Sequence, residues 1–253
     1  MCSASNLLAE AATANRPEPQ PITPGPPLPV MRAAMRQTWR RLTFLHWRYP
    51  AATVRPLLPP GLELDVFEDG AWVGLVPFEI HNLAGVPHFP ETNVRTYVIG
   101  PDGGRGVWFF SLDAARLLAV IGARAGYRLP YFWASMQVSR QGDAIRYRSR
   151  RKWPHRSATS DILVSPGERC RPEDLTAREH FFTARYCLYT KMRGRIARAQ
   201  IEHPPWPLAR ATVVELTENL IVSAGLPRPE GPPLAHYSAE LDVKIGFPRF
   251  CNG

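Results

Sequence analysis

Residues 89–98 read FPETNVRTYV, and the alternation in this stretch decides how the chain folds. In an extended strand successive side chains point to opposite faces, so Glu91, Asn93, Arg95 and Tyr97 share one side while Thr92, Val94, Thr96 and Val98 share the other. One face is neutral or apolar; the other carries an acid, an amide, a cation and a phenol. On an open sheet the polar face would meet water. In a closed sheet it would line an interior.

The flanking sequence favours closure. TWRRLTFLHW (38–47) reads as a first strand, and AATVRPLLPPG (51–61) as a short helix ended by a Pro-Pro-Gly turn. LELDVF (62–67) and AWVGLVPFEI (71–80) flank an Asp69-Gly70 turn and predict a hairpin. NVRTYVI and RGVWFFSL form a second hairpin across Pro-Asp-Gly-Gly at 101–104, and PYFWASMQV and AIRYRSRRKW a third across 140–143. Between the last two, DAARLLAVIGARAG (113–126) reads as a helix with Asp113 as cap and Gly126 at its end. Further on, 172–182 reads as helical, RYCLY and GRIARAQIEH as strands, TVVELTENLIVSAG as a strand or helix followed by a helix, and AHYSAELDVKIG as the closing strand. Antiparallel hairpins with a few interposed helices predict a mainly β, α+β domain closed as a barrel, not a doubly wound sheet. A barrel of moderate size encloses a ligand-sized cavity, and the face of Glu91, Asn93, Arg95 and Tyr97 would then be lumenal.

Composition sets the outer bounds. With 253 residues, 45% of them hydrophobic, the chain can bury a substantial core. RPEPQPITPGPPLP (16–29) is too rich in proline for helix or ladder pairing, so residues 1–34 are expected as a disordered or polyproline-like lead before a single domain at 35–253. The formal charge of +9 is almost all arginine, because only Lys152, Lys191 and Lys244 are lysines. Cys2, Cys170, Cys187 and Cys251 are widely spaced without a CxxC pair or a histidine at ligand spacing, which argues against a zinc module or a disulfide scaffold. No metal and no cofactor is expected. The absence of a long apolar run or a secretory signal predicts a cytoplasmic protein without a membrane partner.

The third hairpin repeats the two-faced pattern. Arg146, Arg148, Arg150 and Lys152 share one side of AIRYRSRRKW, and four unpaired cations cannot be buried together, so that side is expected in solvent. Tyr147, Ser149 and Arg151 then point inward, toward the same interior as Glu91 and Arg95. A buried arginine requires an acid, and Glu91 is a partner for Arg95 or Arg151, in a structural or a ligand-binding pair. The outward stripe, extended by His155 and Arg156, has its aromatic neighbours on the opposite face, so it lacks the stacking platform of a nucleic-acid surface. His203 and His236 lie beside strand-like segments, each as a packed histidine or at a cavity mouth. No GxSxG elbow, P-loop or dinucleotide fingerprint occurs.

The ordered run of HW, LPPGLELDVFEDGAWVGLVPFEI, ETNVRTYV, GVWFFSLDA, ARAGYRLPYFWASM, YRSRR, RYCLY and HPPWPL resembles the YqjF-like proteins over about residues 36–246. That bacterial family of unassigned function is related to the acetoacetate decarboxylase-like superfamily. The resemblance implies a conical, mostly antiparallel β-barrel with an enclosed cavity. It also implies that Glu91 matches the active-site glutamate of the decarboxylases and Arg124 an arginine upstream of their Schiff-base lysine. At the lysine position this chain reads LPYFW, so Tyr131, or Phe132 one residue on, stands there. Neither a phenol nor a benzyl group can form an imine, which closes the decarboxylase route.

Two functional readings follow. One is a small-molecule binding protein or sensor for an acidic or carbonyl metabolite, with Glu91, Asn93, Arg95, Tyr97, Arg124, Tyr131, Tyr147, Arg151 and His203 around the ligand. The other is an enzyme using non-covalent acid/base chemistry of the lyase or hydrolase type, with Glu91 as acid or base and Tyr131 as a phenolic donor. A homo-oligomer is compatible with either.

Overall fold

The computed structural model describes residues 17–153 and 157–251. Its strands, in chain order, are β1 (Ala33–Tyr49), β2 (Glu63–Leu64), β3 (Ala71–His81), β4 (Phe89–Ile99), β5 (Arg105–Ala114), β6 (Tyr131–Gln141), β7 (Ala144–Trp153), β8 (Thr159–Arg169), β9 (Cys187–Met192), β10 (Arg195–Glu202), β11 (Leu208–Glu218), β12 (Leu234–Gly246) and β13 (Arg249–Phe250). The helices are short: α1 (Ala51–Val54), α2 (Leu117–Gly126), α3 (Ala177–Thr183) and α4 (Leu220–Ser223).

Forks at β5 and β12 create two interiors. β5 pairs in parallel with β9 through Val107 and Trp108, and further along in parallel with β6 through Leu112 to Ala114. β12 pairs with β11 around Ser238 and with β10 at Lys244 and Ile245. One ring therefore runs β12-β1-β3-β4-β5-β9-β10 and closes on itself, while another runs β5-β6-β7-β8-β11-β12-β1-β3-β4 and closes back on β5. The strands common to both rings have an interior on each side. β4 accordingly is buried at every position from Glu91 to Ile99. Trp72, Val76, Phe78 and Ile80 of β3 pack in one core, and Val73 and Leu75 of the same strand in the other.

The second and third hairpins form as expected, with Gly100 N–H donating to Gly104 O across the β4–β5 turn and β6 pairing with β7 around residues 141–144. The first needs correction. Glu68 and Asp69 adopt positive φ in a tight turn bridged by Phe67 and Gly70, yet the strand before it, β2, crosses to pair with β4 instead of continuing along β3. Asp113 is likewise not a helix cap: it lies within β5, and α2 starts at Leu117 without a side-chain cap. α2 is the crossover that the parallel β5–β6 pairing requires.

Residues 1–16 of the expected leader lie outside the described residues. Residues 17–32 have no regular secondary structure, as their prolines dictate, but they are tied to the domain. Gln20 N–H donates to Gly103 O at 2.9 Å, Arg105 Nε donates to Gln20 O at 2.8 Å, and Val30 N–H donates to Glu202 Oε2 at 2.6 Å. Ile22 packs against the larger core. This part of the segment is therefore anchored rather than free.

Parity holds in β7. Tyr147, Ser149 and Arg151 are buried, while Arg148 and Arg150 are exposed and Arg146 lies in a salt-bridged position at the surface. Arg146 binds Asp161 and Glu215, and Arg148 shares Asp161, so acids on β8 and β11 neutralise part of the basic stripe. His155 and Arg156 fall outside the described residues. Among the described residues no helix is long and apolar enough to cross a membrane.

Candidate functional site

The ring containing β9 and β10 encloses a cavity of about 280 Å³, close to the lower end of the volumes typical of small-molecule sites. Its walls are mainly apolar and aromatic: Trp39, Phe78, Phe89, Phe109, Phe182, Trp206, Val107, Leu188, Ile201 and Ile245 all contribute. At one end Leu118, Ala119, Gly122 and Ala123 of α2 meet Leu83, Ala84 and Val86 of the β3–β4 loop. Leu118 is 80% exposed, so this end meets solvent. At the other, α3 inserts Phe181 and Phe182 into the ring. A capping box joins Thr176 and Glu179 and fixes the start of that short helix.

The polar side chains in this apolar chamber come largely from one face of β4. Glu91, Asn93 and Arg95 all line the cavity, as strand alternation predicts. Glu91 is 3% exposed and accepts a hydrogen bond from the Tyr131 hydroxyl at 2.9 Å. Burial pushes the Glu91 carboxyl up to about 8, against the opposing effect of the Tyr131 bond and with a smaller push from the Asp113 charge. At neutral pH it is thus mostly a neutral acid. Burial, then the neighbouring Glu91, raises the Tyr131 phenol well above its ordinary value. Arg124 is not in the cavity wall; its Nη1 donates to Tyr131 O at 2.6 Å and its guanidinium lies over the Trp153 ring, so it positions the residue that enters the wall.

Arg95 is the unusual member. It is buried, yet among the described residues it has no hydrogen bond and no carboxylate within ion-pair distance, and its Nε is a buried donor without a partner. Its guanidinium rests against the rings of Phe44 and Tyr97, 5.4 and 5.7 Å from their centres. Gly74, opposite it on β3, leaves room for this: a Cβ there would come within 3.1 Å of His46 and 3.5 Å of the Arg95 side chain. The neighbouring Arg185 also lines the cavity but is neutralised, donating to Asp65 Oδ2 at 2.5 Å and to Phe181 O at 2.6 Å. Asp65 is shared with Arg105, so this corner of the cavity holds more positive than negative charge.

The remaining expected site residues are distributed differently. His203 does line the cavity, with Nδ1 donating to Pro204 O at 2.7 Å; burial lowers its pKa and keeps it neutral. Tyr97 lies behind the wall, its hydroxyl bonded to His46 Nε2 at 2.6 Å beneath Phe182. His236 is buried beside Glu179 at 3.3 Å and does not reach the cavity.

Tyr147 and Arg151 need correction: they do not join Glu91 and Arg95. Both lie in the other ring, where Tyr147 donates to Arg41 O at 2.5 Å and Arg151 makes a forked pair with Asp113, with Nη2 to Oδ1 at 2.6 Å. Parity placed them inward correctly, but the two faces of β4 open on different interiors. Glu91 is accordingly the partner of neither arginine. Phe132, stacked 3.7 Å from the Arg151 guanidinium, also faces away, which leaves Tyr131 as the residue of LPYFW in the cavity wall.

Gln37, Thr183 and Arg185 are polar wall residues that strand reading did not single out. Arg185 precedes β9 in a loop, where no alternation signals its direction. None of Lys152, Lys191 and Lys244 lines the cavity, so no amine is placed there for an imine. Among the described residues no group of three or more His, Cys, Asp or Glu side chains could hold a metal ion.

The fold is that of known enzymes. Acetoacetate decarboxylase from Legionella pneumophila superposes with a TM-score of 0.60 at 14% identity, covering 89% of this chain and 90% of that one. The enduracididine biosynthesis enzyme MppR, complexed with the condensation product of pyruvate and imidazole 4-carboxaldehyde, gives 0.59 at 12%, with 87% and 90% covered. At the level of sequence, the uncharacterized protein YqjF of Bacillus subtilis (strain 168) is 39% identical over 218 residues, 83% of this chain and 89% of the relative. The sequence model of DUF2071, described as an uncharacterized conserved protein, matches residues 36–242. The chain therefore belongs to the DUF2071 family, built on the acetoacetate decarboxylase-like fold.

Proposed function

We propose that this protein binds a small organic acid in the β4 cavity, with the ligand carboxylate on Arg95 and its apolar body among the aromatic walls. The observation that carries this reading is the buried Arg95, which has no ion-pair or hydrogen-bond partner among the described residues. An isolated buried cation costs several kcal/mol, and an anionic ligand offsets that cost by pairing with it. MppR, which shares the fold, has been seen with pyruvate bound, which agrees with an organic acid as the ligand. Trp39 and Trp206 in the wall make binding measurable by their fluorescence. With phenylbutyrate as probe, Arg95→Met should weaken binding about 100-fold or more. The same substitution should raise the thermal midpoint of the free protein, since it removes an uncompensated buried charge. Unchanged affinity in the variant would exclude Arg95 as the carboxylate anchor.

A second reading, acid/base catalysis on the bound acid, draws on the Glu91–Tyr131 pair. A carboxyl held near 8 within a mainly apolar cavity is poised to exchange a proton with a carbon acid at neutral pH. Solvent deuterium should then enter a bound ketone-bearing acid next to its carbonyl, at a rate that Glu91→Gln abolishes. Exchange at the background rate in the unmodified protein would leave binding as the function.

A further inference from the structure

The cavity is polarised along its length. Glu91 and Arg95 lie four residues apart on one face of β4, which puts their Cα atoms about 13 Å from each other, with a register shift against β5 between Val94 and Arg95. The Arg95 guanidinium lies near the Phe44 and Tyr97 rings and makes no ion pair with Glu91. The Arg185 guanidinium stacks on the same Tyr97 ring at 4.8 Å, so the positive charge is gathered at one pole. At the opposite pole Tyr131 donates to Glu91 Oε2, and among the described residues the other Glu91 oxygen has no partner. A protonated carboxyl held in this way presents its own O–H to whatever fills the cavity. Between the poles lie Asn93, with an unpartnered buried Oδ1, and apolar walls.

Building on the carboxylate reading above, we propose that the ligand spans both poles: an extended organic anion whose carboxylate meets Arg95 and whose far end carries an oxygen acceptor, such as a ketone, ester or amide carbonyl, that takes a hydrogen bond from Glu91. A short oxo acid such as acetoacetate or pyruvate can satisfy one pole only. Glu91 is thereby the residue that selects among acids, while Arg95 holds all of them.

The test compares a benzoylalkanoate series of increasing chain length with phenylalkanoates of matched length that lack the ketone, with acetoacetate as the short control. Affinities are read by tryptophan fluorescence and calorimetry at pH 6.5 and pH 9.5, settings about 1.5 units on either side of the Glu91 titration. At the lower pH one benzoylalkanoate should bind about tenfold tighter than its matched phenylalkanoate, and far tighter than acetoacetate. That preference should vanish in Glu91→Leu and persist in Glu91→Gln, which keeps a donor. In the unmodified protein it should also fade at the higher pH, where the carboxylate has no proton to donate; in Glu91→Gln it should remain. Equal affinity for ketone and matched acid at every length, or a preference that Glu91→Leu leaves intact, overturns the second pole while leaving the carboxylate reading in place. Failure of both series to bind overturns the carboxylate reading itself.

Discussion

Asp113→Asn should destabilise the protein by about 3–5 kcal/mol while leaving every side chain of the cavity wall in place. Asp113 and Arg151 are each almost wholly buried and share hydrogen bonds from Nε and Nη2, with the guanidinium face on Phe132. The substitution keeps the shape of the side chain but leaves a buried cation without its counter-charge. For a domain of this size the loss corresponds to a fall in thermal midpoint of roughly 10 °C. A double variant, Asp113→Asn with Arg151→Met, should recover part of the loss, because the uncompensated charge goes with the arginine. Chemical denaturation measures both. Since the pair lies in the ring away from Arg95, the carboxylate anchor should be kept at temperatures below the new midpoint, while loss of the Asp113 charge removes one of the causes that raise the Glu91 carboxyl. A loss below about 1 kcal/mol would show that water or another acid reaches Arg151.

Glu91→Gln should have the opposite effect on stability, and one that grows with pH. The carboxyl titrates at about 8 in the folded protein against an ordinary value of 4.5. Between those two values the unfolded chain has released its proton while the folded chain keeps it, so the folded state binds more protons and stability falls as pH rises. Below about 4.5 both states are protonated and the penalty is absent; above about 8 it is complete. Its upper bound is about 5 kcal/mol, from 1.36 kcal/mol per unit over that window. Glutamine does not titrate, so the stability of Glu91→Gln minus that of the unmodified protein should climb through the window and then level off. A difference that is flat with pH would mean that Glu91 is ionised in the fold and that the neutral-acid pole does not exist.

How much of this was legible beforehand follows from the range over which each signal acts. Alternation in AIRYRSRRKW sorted inward from outward side chains, and in FPETNVRTYV it grouped Glu91, Asn93 and Arg95 on one face, because the period of two belongs to the strand's own backbone, although both faces of that strand are buried. The turns at 101–104 and 140–143 were readable for the same reason: their residues carry the geometry locally.

Other features depended on pairings that no local pattern encodes. β8 is a full strand over Thr159–Arg169 in a stretch for which no element was expected; its partners β7 and β11 supply the hydrogen bonds that hold it extended through Pro166 and Gly167. The proline-rich segment at 17–32 looks free by composition and is held by groups far along the chain. Above all, the sequence by itself determined that Glu91, Arg95, Tyr147 and Arg151 all point inward, and only the tertiary structure decided that there are two interiors. The forks at β5 and β12 put Glu91 and Arg95 on one side of a shared wall and Asp113 with Arg151 on the other. A side chain's direction is fixed by its own backbone dihedrals, but which residues face it across a cavity depends on strands brought together from anywhere in the chain. That is why the acid for Arg151 came from Asp113, and why Arg95 has none among the described residues.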